Sequence, residues 1–294
     1  MRVTVTGGSG LIGSRLVAAL RDRGDDVTVL GRSGAGAGTV AWDPRSGPAP
    51  AAAIEGRDAV VNLAGAPIAQ RWSPAAREAI RSSRLEGTAN LVAAIAAAAQ
   101  RPRVLVSASA VGYYGDRGAQ RLTEDSGPGD GFLAEVCAGW EQEALAARAS
   151  GPRVCVLRTG VVLDRRGGAL AKMLPPFRAG IGGPVAGGRQ YVSWIATADI
   201  CALYIAALDD ERFEGAFNAT APEPVTNAEL SRALGRALHR PAIAPIPGLA
   251  LRLLYGAMAE TVTASQRAVP ERALALGHRF ALAQLDAALA TALS

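Results

Sequence analysis

Glycines near the N-terminus form the pattern with the clearest chemistry, in the run Thr6-Gly7-Gly8-Ser9-Gly10-Leu11-Ile12-Gly13. The spacing fits GxxGxxG if it is counted from Gly7 and GxGxxG if it is counted from Gly8, so spacing alone does not choose. In either arrangement the backbone can approach a pyrophosphate at the N-terminus of the following helix. The alternative is a tight turn without a ligand, but the run separates a strand pattern from a helix pattern, as dinucleotide binding requires. The residues predicted to contact a dinucleotide here are Gly7, Ser9, Gly10, Leu11, Ile12 and Gly13.

Arg32 and Ser33 follow the second predicted strand, where a preference for NAD or NADP is usually decided. An NAD site would place an acid here for the ribose 2′-hydroxyl, but Asp25 and Asp26 lie at the other end of that strand. Arg32 could instead meet a 2′-phosphate with a bidentate, charge-assisted contact, and Ser33 could add a hydroxyl. Arginine is abundant in this chain, so its presence could be chance, but the absent acid favours NADP as the cofactor.

The elements that must position these residues follow a repeated strand-helix order. Short β-branched runs at 3–6, 27–30, 59–63, 104–107 and 154–157 are near-continuously apolar, which is typical of strands buried on both faces of a parallel sheet. The segments 11–23, 74–99 and 132–148 have helical length and spacing. Together they predict an α/β fold, a doubly wound parallel sheet of the Rossmann type.

The composition of the chain changes after residue 160. Glycines concentrate between residues 160 and 194, which predicts loops that cover a site or cross between lobes. After Thr220 the sequence is interrupted by prolines and shows no further strand-helix alternation. We therefore expect a Rossmann domain over 1–220, with 160–195 contributing to a substrate lobe, and a small, mainly helical C-terminal domain over 221–294.

Composition excludes several functional classes. The chain has 294 residues, 49% of them hydrophobic and 19% charged, which is enough for a substantial core. Its net charge is +5, yet the basic residues are scattered, so no nucleic-acid or membrane partner is expected. Three separated cysteines and two histidines complete neither a metal site nor a disulfide framework. The first residues already form a strand pattern, which leaves no room for a signal peptide, and we expect a soluble cytoplasmic protein.

Several further motifs resemble those of extended short-chain dehydrogenases/reductases in the NAD-dependent epimerase/dehydratase superfamily. They are Asn62-Leu63-Ala64-Gly65 and Ser107-Ala108-Ser109, which precedes Tyr113-Tyr114-Gly115. The segments SASAVGYYGD, RTGVVL, GRQYVSWI and QRAVPERALALGHRF are similar to those of atypical epimerase-family proteins with a short C-terminal domain of unknown function. The resemblance implies a catalytic role for Ser109 and cofactor contacts from Asp43, Leu63, Ala64, Gly65 and Ser107.

The tyrosine-lysine pair on which that superfamily's chemistry depends is absent. Lys172 is the only lysine in the chain, and Gly168 stands four residues before it, so no YxxxK motif exists. On the superfamily pattern, Leu133 occupies the tyrosine position and Cys137 the lysine position. Cys137 could have a redox role, but an isolated cysteine on an apolar helix is more often part of the packing.

Other residues could replace the missing acid/base group. Tyr113 follows the strand that carries Ser109, and Arg117 four residues later could lower the pKa of its phenol; alternatively, Tyr113 only lines the pocket. Glu135 is a second candidate. The residues predicted for the substrate lobe are Gln190, Tyr191, Ser193 and Trp194, with a purely anchoring role for Trp194 as the alternative.

Two functions follow from these observations. The first is an NADP-dependent oxidoreductase or epimerase-like enzyme with an unusual acid/base group and a small polar substrate, acting as a monomer or homodimer. The second is a regulatory or scaffold protein that senses NADP(H) without turnover and could be linked to cell division. The complete set of cofactor-binding motifs supports the first function, and the missing tyrosine-lysine dyad supports the second.

Overall fold

The computed structural model describes residues 1–294, except for the side chains of Ala250 and Leu254. In chain order the strands are β1 (Arg2–Thr6), β2 (Asp26–Gly31), β3 (Thr39–Ala41), β4 (Ala59–Asn62), β5 (Val104–Ala110), β6 (Arg121–Leu122), β7 (Arg153–Thr159), β8 (Val161–Leu163), β9 (Tyr191–Val192), β10 (Trp194–Ala196), β11 (Gly215–Ala219), β12 (Val225–Thr226) and β13 (Arg267–Ala268).

The helices lie mostly between these strands. They are α1 (Leu11–Asp22), α2 (Pro74–Ala97), α3 (Phe132–Leu145), α4 (Gly168–Arg178), α5 (Thr197–Asp209), α6 (Asn227–Leu238), α7 (Gly248–Tyr255), α8 (Glu260–Thr263), α9 (Glu271–Ala275) and α10 (Leu285–Leu293).

A seven-stranded parallel sheet forms the centre of the molecule, in the order β11-β7-β5-β4-β1-β2-β3. The chain runs outward from β1 in one direction through β2 and β3, and in the other direction from β4 onward. The direction therefore changes between β1 and β4, and ligands of open parallel sheets bind at this point, beyond the carboxyl ends of the strands. The predicted doubly wound Rossmann fold is confirmed.

Helices cover both faces of this sheet. On one face, Val3 and Val5 of β1 pack with Leu16 of α1 and Leu203 of α5. On the other face, Val60 of β4 and Leu105 of β5 pack against α2 and the end of α3 in a second buried cluster. Successive strand residues thus enter opposite clusters, which explains why the strands read as continuous apolar runs.

Two strands of the sheet were not among the predicted ones. β3 is a three-residue edge strand whose side chains are not buried, so it lacks an apolar run. β11 has the sequence GAFNA, in which glycine and asparagine mask the strand pattern. The five predicted strands all lie in the sheet, and the predicted helices end within a few residues of the observed ones, apart from a 3-10 turn over Ala146–Ser150.

The glycine-rich segment differs from the predicted loops, because it contains the helix α4. Leu174 and Phe177 of this helix share a buried cluster with Trp194, Leu234 and Leu289. The segment 160–196 and the C-terminal part thus have a common core. The boundary at residue 220 stays a prediction. Across the part of the chain described above, no helix is both long and apolar enough to cross a membrane.

Candidate functional site

The glycine turn after β1 is packed so closely that side chains at Gly7 and Gly13 would collide with backbone atoms. Gly7 has φ +68°, and a Cβ there would lie 2.7 Å from the backbone of Leu63. A Cβ on Gly13 would lie 2.2 Å from the carbonyl oxygen of Gly7. Gly7 and Gly13 therefore pack against each other, which favours the GxxGxxG interpretation.

Gly10 stands apart from the other glycines of the turn. A Cβ there would meet only the carbonyl oxygen of Gly7, at 3.2 Å, and both Gly10 and Ser9 are exposed. Gly10 is also the N-cap of α1 and supplies no side-chain cap, while Leu11 and Ile12 start the helix half-buried. The first N–H groups of α1 thus face the edge of the sheet where a phosphate would bind.

Buried polar side chains tie the ends of β1, β4 and β5 together. The hydroxyl of Thr6 donates to Asn62 Oδ1 (2.8 Å) and accepts from the N–H groups of Leu63 and Ala64 (3.0 and 3.1 Å). Asn62 Nδ2 in turn donates to Ser107 Oγ at 3.3 Å. This arrangement fixes the loop that begins at Leu63 beside the glycine turn. Ser107 is fully buried beneath the cleft, where it supports Asn62, so the structure does not place it among the exposed candidates.

Arg32 and Ser33 lie exposed just beyond β2, as expected for the adenosine end of a dinucleotide site. Within the described chain, no carboxylate forms an ion pair with Arg32. The two nearest acids of the sequence are engaged elsewhere: Asp25 pairs with the N-terminal ammonium at 2.6 Å, and Asp26 pairs with Arg57 at 3.0 Å. The end of β2 therefore presents a positive charge and no acid.

Asp43 lies two residues beyond β3, and its carboxylate is used within its own turn. Asp43 Oδ1 accepts a hydrogen bond from the backbone N–H of Arg45 at 3.1 Å. The carboxylate is half-buried and still has free acceptor positions. The contact with the adenine side that the resemblance implies stays a prediction.

Ser109, near the end of β5, is held by an ion pair that sequence reasoning missed. Its hydroxyl donates to Glu141 Oε1 at 2.6 Å. Glu141 also accepts two hydrogen bonds from Arg158, from Nε and Nη2, both at 2.9 Å. All three side chains are buried. Two parallel N–H···O bonds make this pair geometrically well defined, and burial makes each of its charges dependent on the other.

Arg158 extends the same network to the two tyrosines. Its Nη1 donates to the hydroxyl of Tyr114 at 3.0 Å, and Tyr114 donates onward to Asn218 Oδ1 at 2.7 Å. The ring of Tyr113 lies against the guanidinium, 3.6 Å from its carbon atom to the ring centroid. Burial raises the pKa of Tyr114 to about 12, so this phenol stays protonated.

Arg117 does not contact the phenol of Tyr113, contrary to the sequence-based hypothesis. Its side chain donates to the carbonyl oxygens of Tyr114, Gly127 and Pro128, and it thereby holds a loop. The cation beside Tyr113 is Arg158. Ser109 and Tyr113, the two predicted catalytic residues, are thus linked through the Glu141–Arg158 pair, since Ser109 contacts Glu141 and Tyr113 contacts Arg158.

The helix face that would carry the tyrosine-lysine dyad carries Leu133, Cys137 and Glu141 at four-residue intervals. Burial, with the charge of Glu141 second, raises the pKa of Cys137 to about 11. The thiol is therefore protonated and buried, which supports packing and not redox chemistry. Glu141 could have been found from the sequence, because four-residue steps along α3 place it on the same face.

The remaining predicted residues lie away from this network. Glu135 is exposed and pairs with Arg81 at 3.3 Å, so it does not face Ser109. Ser193 donates to the carbonyl oxygen of Gln266 at 2.8 Å, and Trp194 Nε1 donates to that of Glu223 at 3.0 Å. Gln190 makes similar contacts with the backbone of Val185 and Val262, and Tyr191 lies under Arg267. These residues therefore anchor the C-terminal part, which for Trp194 is the anchoring role given above as the alternative to a place in the substrate lobe.

No metal centre accompanies the polar network. Among the described residues, no group of three or more histidine, cysteine, aspartate and glutamate side chains could hold an ion. The cysteines, Cys137, Cys155 and Cys201, are buried and unpaired.

Comparison with known families gives two matches along the chain. A model of the NAD dependent epimerase/dehydratase family matches residues 3–219. A model of a domain of unknown function, DUF1731, matches residues 246–292.

Similar proteins occur in plants, animals and bacteria. The chain is 42% identical over 290 residues to the chloroplastic SDR39U1 homolog of Arabidopsis thaliana, an epimerase family protein, covering 95% of this chain and 83% of that one. Human epimerase family protein SDR39U1 is 38% identical, with 98% of each chain covered.

Two solved structures have the same fold and substantial sequence identity. The crystal structure of human SDR39U1 (isoform 2) with NADPH superimposes with a TM-score of 0.91 at 37% identity, covering all of both chains. A nucleoside-diphosphate sugar epimerase from Corynebacterium glutamicum gives a TM-score of 0.81 at 36% identity, covering all of this chain and 58% of that one.

Proposed function

Because the chain belongs to the NAD dependent epimerase/dehydratase family, we propose that it is an NADP(H)-dependent oxidoreductase of the epimerase type, acting on a small polar substrate. The observation that carries this proposal is the placement of two features at one edge of the sheet. The uncapped N-terminus of α1 follows the carboxyl end of β1, and the buried Ser109–Glu141 pair lies at the carboxyl end of β5, with only β4 between these two strands. One bound dinucleotide could therefore bring its nicotinamide near Ser109.

The preference for NADP(H) rests on Arg32. It is exposed at the end of β2, without an acidic partner among the described residues, and Ser33 is exposed beside it. A 2′-phosphate would supply the missing negative charge. The human relative that was solved with NADPH supports the same choice. Gly7, Ser9, Gly10, Leu11, Ile12 and Gly13 would surround the pyrophosphate, and Asp43, Leu63, Ala64 and Gly65 would border the rest of the cofactor.

Ser109 would accept a hydrogen bond from the hydroxyl of the reduced form of the substrate, whereas the carbonyl oxygen of the oxidised form would take its hydrogen bond from Tyr113. The proton of Ser109 is directed to Glu141, so its lone pairs remain available to a substrate hydroxyl. Arg158 holds Glu141 in place, and it also lies against the ring of Tyr113. Tyr113 is half-buried and would exchange the proton with the substrate oxygen. The bound nicotinamide would supply the hydride chemistry.

A regulatory function without turnover is the second candidate, and one observation favours it. Leu133 and Cys137 stand where the superfamily has its dyad, and the protonated thiol of Cys137 cannot replace a lysine. In that case the bound NADP(H) would act as a signal for a partner. We also propose a cytoplasmic location and a monomeric or homodimeric state, although the Arabidopsis thaliana relative is named chloroplastic.

A turnover screen separates the two candidates. Purified protein with NADPH is supplied with small polar ketones, aldehydes and nucleotide sugars, and absorbance at the nicotinamide band is followed. We expect slow, substrate-restricted oxidation that falls about a hundredfold to ten-thousandfold in Ser109→Ala and in Tyr113→Phe. Tyr191→Phe, which removes a hydroxyl outside the network, is the control. Binding of NADPH without oxidation by any compound would favour the regulatory function.

A further inference from the structure

Arg84 of α2 is a buried cation without a buried anion. Its side chain is only 8% exposed. Nη1 donates to the carbonyl oxygens of Ala66 and Ile80, at 3.1 and 3.2 Å. Within the described part of the chain, no carboxylate pairs with it, and Nε and Nη2 find no acceptor. Arg158, the other buried arginine, differs because Glu141 neutralises it with two hydrogen bonds.

Such an arrangement is costly in the ligand-free protein. Burial disfavours the charged form and lowers the pKa of Arg84, but a guanidinium remains charged at any ordinary pH. The ring of Trp140, whose centroid is 5.1 Å from the guanidinium carbon, offers only a weak cation–π contact. Trp140 Nε1 is itself buried without an acceptor. Two neighbouring side chains therefore have N–H donors that the protein leaves unused.

The guanidinium lies directly beneath an exposed part of the proposed cofactor site. A Cβ on Gly65 would lie 3.0 Å from both Cζ and Nη2 of Arg84. Gly65 itself is exposed, on the loop that Thr6 fixes beside the glycine turn. On its other side, Arg84 lies over the ring of Trp140 on α3, the helix that also carries Glu141. Arg84 thus lies between the loop after β4 and the helix whose Glu141 accepts from Ser109.

We propose that Arg84 binds an oxyanion of a ligand in the cleft beside Ser109. A neutral hydroxyl could accept hydrogen bonds from Arg84 but would leave its charge uncompensated. A carboxylate or phosphate would accept the hydrogen bonds and also neutralise the charge. Two ligands offer that chemistry. One is an acidic substrate, and the other is NADPH through its pyrophosphate. The inference rests on the proposed function, since it assigns a ligand group to the same cleft.

The test uses two substitutions of Arg84 and one matched control. Arg84→Met removes the charge at similar length, and Arg84→Lys keeps it. Ser83→Ala removes the other side chain that holds Ala66, since Ser83 Oγ accepts from its N–H at 2.9 Å, and it leaves Arg84 intact. NADPH affinity is measured by calorimetry. Inorganic phosphate and oxalate are then titrated onto the NADPH-loaded protein, with nicotinamide fluorescence as the signal.

Arg84→Met is expected to weaken one of these two interactions at least about tenfold, with Arg84→Lys and Ser83→Ala much less affected. A weakened NADPH affinity assigns the oxyanion to the cofactor. Unchanged NADPH affinity with a lost response to phosphate or oxalate assigns it to the substrate. If Arg84→Met retains both interactions, or if Ser83→Ala loses as much as Arg84→Met, the proposal is wrong and Arg84 only holds the loop.

A thermal unfolding series keeps the two proposals separable. Phosphate and oxalate are added to cofactor-free wild type, Arg84→Met and Arg84→Lys. Wild type and Arg84→Lys should be stabilised more than Arg84→Met, whether or not the wild-type protein binds NADPH. Failure of wild type to bind NADPH would refute the proposed function alone. Equal shifts in all three proteins, with NADPH affinity unchanged in Arg84→Met, would refute the oxyanion site alone.

Discussion

Ser109 and Glu141 share a hydrogen bond of 2.6 Å between β5 and α3, and both side chains are buried. The bond gives Ser109 a fixed proton direction, away from the cleft and toward a carboxylate. Glu141 is held in place by two hydrogen bonds from Arg158. The candidate site therefore contains a hydroxyl, that of Ser109, whose orientation is fixed by the Glu141–Arg158 ion pair, even though the tyrosine-lysine dyad is absent.

Glu141→Gln should destabilise the fold strongly. The amide can still accept from Ser109, but the charge of Arg158 is then buried without compensation, which costs about 3 to 5 kcal/mol. Denaturant unfolding of wild type and variant measures the difference. Glu135→Gln, which breaks the exposed pair with Arg81 on the same helix, is the control and should cost at most about 1 kcal/mol. Similar losses in the two variants would contradict the importance of the buried pair.

Arg32→Asp should reverse or abolish a preference for NADP(H) over NAD(H). Loss of one charge-assisted phosphate contact costs about 1.5 to 3 kcal/mol, or roughly 10- to 150-fold in affinity. Calorimetric titration with both cofactors measures the ratio. Arg178→Asp makes the same charge change at another exposed arginine and should leave the ratio unchanged. Equal affinity of the wild-type protein for the two cofactors would rule out the assignment.

Gly10→Val should block cofactor binding and leave the fold largely intact. The Cβ of the new side chain would meet only the carbonyl oxygen of Gly7, at 3.2 Å, and the side chain would occupy space near the proposed pyrophosphate. Gly13→Val is the matched contrast, because its Cβ would lie 2.2 Å from that same oxygen and the turn itself would have to move. Circular dichroism and thermal unfolding, combined with cofactor titration, separate the two effects. A folded Gly10→Val protein with unchanged affinity would show that the turn serves another purpose.

Acid should weaken the C-terminal part through His278. Burial lowers the pKa of this histidine below its ordinary value of 6.5, so protonation favours the unfolded chain. Its contribution to stability is complete above about pH 6.5 and falls as the pH decreases through that value toward the lower folded pKa. His278→Phe should flatten this part of the stability profile, measured by thermal unfolding at a series of pH values. His239, the other histidine of the chain, is exposed. His239→Asn is therefore the control and should leave the pH profile of stability unchanged.

The sequence was sufficient for five strands of the sheet and for the glycine turn after β1 because their signals are local. An apolar run marks a buried strand, and glycine spacing marks a close backbone approach. β3 and α4 were missed because an exposed three-residue edge strand carries no run and because glycines concealed the helix pattern.

The polar network could not be predicted as a whole, because it depends on contacts between distant segments. Arg158 lies on β7 and Glu141 on α3, and only the folded sheet brings them to Ser109. Arg117 was chosen for its sequence distance from Tyr113, whereas the guanidinium that contacts that ring comes from another strand. The four-residue steps from Leu133 were the one local signal that pointed to Glu141.

The C-terminal part completes the network at its far end. Asn218, which accepts from Tyr114, donates through Nδ2 to the carbonyl oxygen of Val269 at 2.9 Å, and Ser193 donates to that of Gln266. Cutting the chain between the two matched families would leave these buried donors without acceptors. We therefore expect residues 3–219 and 246–292 to unfold as one cooperative unit.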